Sequence, residues 1–456
     1  MIDIFRRFET VINVMLARKA LRGFASVPLR VPQFPPALHA EEYVSLLPNN
    51  LTVASVDLNG TLSHFVLAIR AGSRYEQPDE RGVVHALRNY IGTDSPQQMG
   101  MKLRTMAYHI GADLTATISK DLLTIRMSVP RAKTHVALSL LGEFSQPTLP
   151  DFDLESVKRS LVHDIAHQNP FDVMVELLHE VAYRGDPLSN PILATRDSIP
   201  RLKHSSLGAF VKSRFTASDS ILVGVNTDHE VLLNYAAYQK IGNMASKPMN
   251  PSKYHGGAVR ARGPTNNAHV AVAGEGARLT DVSSVAVQSV LSYIIGQGPI
   301  LKYDNDSGMG VVARAVLKAA NHNLVGVNSL NIVHSDSGLA GVYIVAPGDY
   351  VTPYVKVALA ALKDLANAGP DVDVLETAKK RAEVETYRKS ECPMSLADDR
   401  AAQFLAAGNA ISPMEFVMAI HEVTSEDIMK ACAKIVSRPS VAAFGKVDHI
   451  AHIPLE

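Results

Sequence analysis

Histidines and carboxylates spaced for one helix face are the residues of this sequence best suited to chemistry. His163 and His167 stand four apart, which lets two imidazoles reach one metal ion from a single helical face. No glutamate or third histidine lies beside them at motif spacing, so the pair reads as an exposed helical face. His179-Glu180 and His421-Glu422 each begin the His-Glu-x-x-His pattern of a zinc site, which needs histidine at 183 and 425; those positions are Tyr183 and Ser425. Asp304-Asn305-Asp306-Ser307-Gly308 opens like a calcium loop, but the twelfth position counted from Asp304 is Ala315 rather than glutamate, leaving a surface turn. Gly296-Gln297-Gly298-Pro299 lacks the third glycine of a dinucleotide site and the Lys-Ser/Thr of a phosphate loop. The two cysteines, Cys392 and Cys432, form no CxxC pair, which argues against a cysteine zinc site or a disulfide framework and for a reducing compartment. No Ser/His/Asp or Cys/His set can be assembled, and no cofactor is expected.

One helical stretch is more informative. Arg81-Gly82-Val83-Val84-His85-Ala86-Leu87-Arg88-Asn89-Tyr90-Ile91-Gly92-Thr93 resembles the active-site helix of the pitrilysin-type metallopeptidases, which carry His-x-x-Glu-His there. In that family the two imidazoles share a helix face and reach one zinc, and the glutamate deprotonates the metal-bound water. Here His85 holds the first position, Arg88 replaces the glutamate base and Asn89 replaces the second histidine. Asparagine is a poor zinc ligand, and arginine stays protonated at neutral pH. A guanidinium about 4 Å from a dication is repelled by roughly 8 kcal/mol at an effective dielectric of about 20. That offsets most of the roughly 10–16 kcal/mol typical of structural zinc binding. No metal and no catalytic residue is therefore expected at His85, Arg88 and Asn89. The family takes a third ligand, a glutamate, from a later helix; the matching stretch, Glu155–Asn169, offers Glu155 and Asp164 with no clear match to the ligand position.

The elements that must position this helix show an internal repeat. Leu114 to Pro130 reads as two alternating strands about a polar turn, followed by a helical stretch from His135 to Phe144; Leu330 to Pro347 does the same, followed by Val355 to Leu365. His64 to Arg74 precedes the helix of His85, and His269 to Arg278 precedes a helix containing Val287. The anchors His64/His269 and Pro130/Pro347 are offset by 205 and 217 positions. A duplicated module of about 200 residues makes two large domains. Short period-two strands with interspersed helices predict an α+β fold, a mixed or antiparallel sheet with helices packed on it. The expected division is 40–243 and 268–456 with a linker at 244–267, where Lys247-Pro248-Met249-Asn250-Pro251, Gly256-Gly257 and Gly263-Pro264 concentrate.

Bulk properties narrow the partners. Lys+Arg and Asp+Glu both number 45, so no polyanion partner is indicated, whereas a nucleic-acid binder carries a basic surplus. The longest informative uncharged run, Val282–Leu301, holds serines, glutamines, glycines and a proline; within it Val287, Val290, Leu291 and Ile294 form one core-facing stripe rather than a membrane span. Residues 1–26 are Arg-rich, acid-poor and amphipathic, ending in Arg22-Gly23-Phe24-Ala25-Ser26, and are expected to be a mitochondrial presequence.

The resemblance runs from about Pro48 to the C-terminus. It is carried also by Phe65 to Glu76, by Gln168-Asn169-Pro170 with Leu178 to Arg184, by Lys253-Tyr254-His255-Gly256-Gly257 and by His334 to Gly341. These stretches are similar to the non-catalytic branch of the family, the core proteins of the mitochondrial cytochrome bc1 complex (complex III). That resemblance implies two homologous domains, each a mixed sheet with helices packed on one side, forming a bowl. It implies a structural subunit, peripheral on the matrix side of the inner membrane, supporting assembly and carrying no heme or quinone. Its implied partners are the other core subunit, cytochrome b, cytochrome c1 and the iron–sulfur subunit, without nucleic acid. The alternative is the non-catalytic, alpha-type subunit of the mitochondrial processing peptidase. That subunit carries a glycine-rich loop, while Gly296–Gly310 has glycine only at 296, 298, 308 and 310. An active zinc endopeptidase is a further alternative, opposed by Arg88 and Asn89.

Overall fold

The computed structural model describes residues 42–237, 241–242, 250–298, 309–321 and 323–448. The expected presequence, residues 244–249 of the expected linker and the Asp304–Gly308 turn lie outside the described residues.

The alternating stretches become strands because each has an apolar set to bury on one face. β1 (Glu42–Leu46), β2 (Thr52–Val56), β3 (Leu62–Ile69), β4 (Asp113–Ile118), β5 (Leu123–Pro130) and β6 (Ser220–Val225) form a six-stranded sheet in the order β1-β2-β6-β3-β5-β4. β7 (Gly257–Arg262), β8 (Asn267–Glu275), β9 (Gly326–Val333), β10 (Gly338–Pro347) and β11 (Ser440–Gly445) form a five-stranded sheet in the order β7-β11-β8-β10-β9. In each sheet one pair is parallel, β2 with β6 and β7 with β11, and the rest are antiparallel. Apart from β1 the two strand orders are the same. The duplication reaches the register: Leu62 faces Pro130 in the first sheet and Asn267 faces Pro347 in the second, at the offsets read from the sequence.

Part of the stretch expected as linker is a strand. Gly256-Gly257 and Gly263-Pro264 punctuate its ends, but between them β7 alternates half-buried and exposed residues along the sheet edge. The turn residues at both ends hid a short edge strand that, among the described residues, pairs with β11 alone.

The first half supplies α1 (Val83–Tyr90), α2 (Gly100–His109), α3 (Thr134–Phe144), α4 (Leu154–Ala166), α5 (Pro170–Ala182), α6 (His204–Arg214) and α7 (His229–Ala237). The second supplies α8 (Val282–Ile295), α9 (Val311–Ala320), α10 (Val351–Ala368), α11 (Val372–Glu391), α12 (Pro393–Ala407), α13 (Pro413–Glu422) and α14 (Ser425–Ser437). Phe65, Leu67 and Ile69 of β3 meet Leu87, Leu138 and Leu161 in the first core, and Val270 and Val272 of β8 meet Val290, Leu362 and Ile435 in the second. The uncharged run centred on Val287 is α8, packed into this second core. Among the described residues no helix is long and apolar enough to cross a membrane.

The opposite face of each sheet is also apolar, because it is covered by a helix of the other half. Val66, Ala68, Ile221 and Val223 of the first sheet receive Ala397, Ala401 and Leu405 of α12, one stripe at i, i+4, i+8. Ala271, Ala273 and Ala442 of the second sheet receive Met174, Leu178 and Ala182 of α5, the same spacing. Sizes are complementary: branched sheet residues meet mainly alanines in one case, and sheet alanines meet large helix residues in the other. Each fully buried Val, Ile or Leu here contributes about 1.5–3 kcal/mol.

Candidate functional site

Glu76 fixes the start of the helix that carries the degenerate motif. Its buried carboxylate accepts the N–H of Gly82 at 3.0 Å and of Val84 at 2.7 Å, satisfying two first-turn donors of α1. Burial pushes the Glu76 carboxyl up to about 8, against the pull of those two N–H groups. Gly82 caps the helix at φ 92°, and a Cβ there would lie 2.6 Å from the Ala194 Cβ. Glycine thus lets the chain around Ala194 lie over the first turn of α1.

That approach decides the state of His85. The Ala194 N–H donates to His85 Nδ1 at 3.1 Å, so Nδ1 is an acceptor and Nε2 carries the proton. Nε2–H donates to Asp164 Oδ2 at 3.1 Å. Both ring nitrogens of this buried imidazole are therefore occupied. Burial pushes the His85 pKa down, the nearby Arg88 charge adds to the effect, and Asp164 opposes it. The ring stays neutral.

Asp164 is the residue on which the motif converges. The same Oδ2 accepts from Arg88 Nη2 at 3.2 Å and from Asn89 Nδ2 at 3.3 Å. Asp164 reaches α1 because it shares a face of α4 with Val157 and Leu161, at i, i+4, i+7, and those two are buried in the first core. Burial favours a raised Asp164 pKa, but the hydrogen bonds of His85 and Asn89 and the charge of Arg88 outweigh it and hold the carboxylate ionised. The guanidinium thus sets its positive charge against the same carboxylate oxygen that His85 and Asn89 contact. The arrangement does not fit a zinc ion: His85 has no free lone pair, Asn89 presents its NH₂, and Arg88 adds a positive charge. Its geometry pins α1 to α4, with Asp164 Oδ2 engaged by three donors. Sequence reasoning named Asp164 without assigning it; the i, i+4, i+7 relation to Val157 and Leu161 was the signal available.

The other sequence candidates lie elsewhere. His163 and His167 stack at 4.1 Å between ring centroids and are exposed, with His167 Nδ1 on the His163 carbonyl. His179 is buried on α5, its Nδ1 donating to the Val175 carbonyl and its Nε2 meeting His334 Nε2 at 2.9 Å. Tyr183 donates its hydroxyl to the Gly338 carbonyl. His421 sits 3.3 Å from Glu383. Glu155 pairs with Lys158 on the surface of α4. Cys392 is exposed and Cys432 buried, both as free thiols. Among the described residues no group of three or more His, Cys, Asp or Glu is disposed to hold a metal.

Comparison with known proteins adds independent findings. Residues 52–196 match the sequence profile of the insulinase family, peptidase family M16, and residues 201–382 match that of the peptidase M16 inactive domain. Cytochrome b-c1 complex subunit 2 of Mus musculus is 27% identical over 408 residues, 88% of this chain and 89% of its own length. Mitochondrial-processing peptidase subunit alpha-2 of Dictyostelium discoideum is 27% identical over 410 residues, 88% of this chain and 91% of its own. A chain of complex III from Candida albicans superposes with a TM-score of 0.79 at 18% identity, covering 90% of this chain and 97% of that one, a likeness of fold.

Proposed function

The chain belongs to the M16 peptidase family, and we propose that within it this protein is a non-catalytic core subunit of the mitochondrial ubiquinol–cytochrome c reductase. It stands at the periphery of the inner membrane on the matrix side and supports assembly and stability. Its partners are the other core subunit, cytochrome b, cytochrome c1 and the iron–sulfur subunit. The reading rests above all on likeness to a complex III subunit over nearly the full length of both chains. The occupied nitrogens of His85 and the charge of Arg88 support the absence of a catalytic or metal-binding residue at His85, Arg88 and Asn89. The domain division we infer is a presequence at 1–26, peptidase-like domains at 40–243 and 268–456, and a connection at 244–267 that contributes β7.

Native purification from mitochondria tests this. The chain should co-migrate with heme absorbance on gel filtration of a detergent extract, and the isolated chain should neither hold stoichiometric zinc nor cleave presequences. A second reading, the alpha-type subunit of the processing peptidase, is favoured by the Dictyostelium relative, which matches the same share of the chain at the same identity. Recovery free of heme, paired with a zinc-bearing subunit that cleaves presequences, would establish that reading instead.

A further inference from the structure

We propose that the two halves of this chain form one latched body that opens and unfolds as a unit, without a hinge between them. The proposal is independent of the functional reading above. It rests on two separate features of the seam.

The first is the exchange of α5 and α12. Each is covalently part of one half and buries its apolar stripe on the sheet of the other. Polar contacts fix them there: Arg126 of β5 pairs with Asp398 of α12 at 2.7 Å, and Tyr183, just past α5, donates its hydroxyl to the Gly338 carbonyl of β10 at 2.9 Å. A hinge opens one interface while leaving another as a pivot. Here separation strips α12 from the first sheet and α5 from the second in the same movement, so both uncover apolar strands together.

The second is Arg74, which is 3% exposed and held by the corresponding hairpin turns of both halves. Its Nη1 donates to Asp121 Oδ1 in the β4–β5 turn at 2.7 Å, and its Nη2 donates to Asp336 Oδ2 in the β9–β10 turn at 2.6 Å. Ser335 Oγ and Asp336 Oδ1 also accept from Nη1. His334 of the second turn then bridges Asp121 at 3.2 Å and His179 of α5 at 2.9 Å. Opening the seam even slightly takes Asp336 from the buried guanidinium, leaving it Asp121 alone, and takes His334 from Asp121. A cavity of about 600 Å³ lies beside these turns, lined in part by Arg74, Asp121 and Asp336.

Hydrogen exchange of the intact chain, read by mass spectrometry where reclosing is slower than exchange, tests the proposal. Peptides from β6 and from β11 should open at one common rate; two distinct rates would overturn it. Arg74→Met should raise both rates by the same factor, on the order of tenfold or more; an increase confined to one half would overturn it. Should that variant fail to fold, Leu178→Ala provides the same comparison without stranding a charge. It thins the cover of the second sheet, yet β6 in the first should open faster in step with β11. Faster opening of β11 alone would refute the latch.

Discussion

At the scale of single residues, the decisive atom is one carboxylate oxygen. Asp164 Oδ2 gathers donors from His85, Arg88 and Asn89, and the positive charge of Arg88 takes over the role a dication plays among similar side chains. Asp164→Ala should destabilise the fold by about 1–2 kcal/mol, read as a lower denaturant midpoint at constant slope. The loss is moderate because Arg88 and Asp164 remain 30% and 27% exposed, and solvent screens the pair. Even the double substitution Arg88→Glu with Asn89→His should return no stoichiometric zinc on metal analysis, like the wild-type chain treated in parallel, since the Ala194 N–H on Nδ1 keeps the His85 proton on Nε2, the nitrogen that faces Asp164. Acid should weaken the fold through His85 and His179. Burial lowers both pKa values below the ordinary 6.5, so the unfolded chain takes up protons that the folded chain refuses. Their contribution is complete above about pH 6.5 and is lost as pH falls below it toward the folded values. Replacing His85 with glutamine should flatten the decline in melting temperature between pH 6.5 and 5.

At the scale of elements, each exchanged helix is held by an apolar stripe on the sheet of the other half. Leu405→Ala removes the widest residue from the α12 stripe on the first sheet and should cost about 2–3 kcal/mol in a thermal or denaturant melt. The repeat that predicts these elements was legible because period-two stretches ending at Pro130 and Pro347 announce strands whatever their surroundings. The helix of His85 was legible from its motif spacing. Three things were not. Met174, Leu178 and Ala182 announce an apolar helix face but not which sheet it covers, since a stripe carries no address. Asp164 was visible only as one acid in a helix, because its meaning depends on α1 and α4 lying side by side, a contact no local pattern records. β7 was obscured for the opposite reason: glycine and proline at its ends spoke louder than its short alternation.

At the scale of the whole molecule, stability should be indifferent to metal. Prolonged dialysis against a chelator is expected to leave the melting temperature of the intact chain unchanged, because no described ionisable cluster needs an ion to balance it. A drop of several degrees would contradict the geometry at Asp164. The reciprocal cover of the two sheets also sets an order of events during biogenesis. A polypeptide made or threaded N-terminus first completes β6 at Val225, but the side chains of Ile221 and Val223 must wait for residues 393–407 before they are shielded. Through that interval a sticky strand surface faces solvent. A stop codon anywhere before Pro393 therefore yields an aggregation-prone fragment rather than a working N-terminal domain.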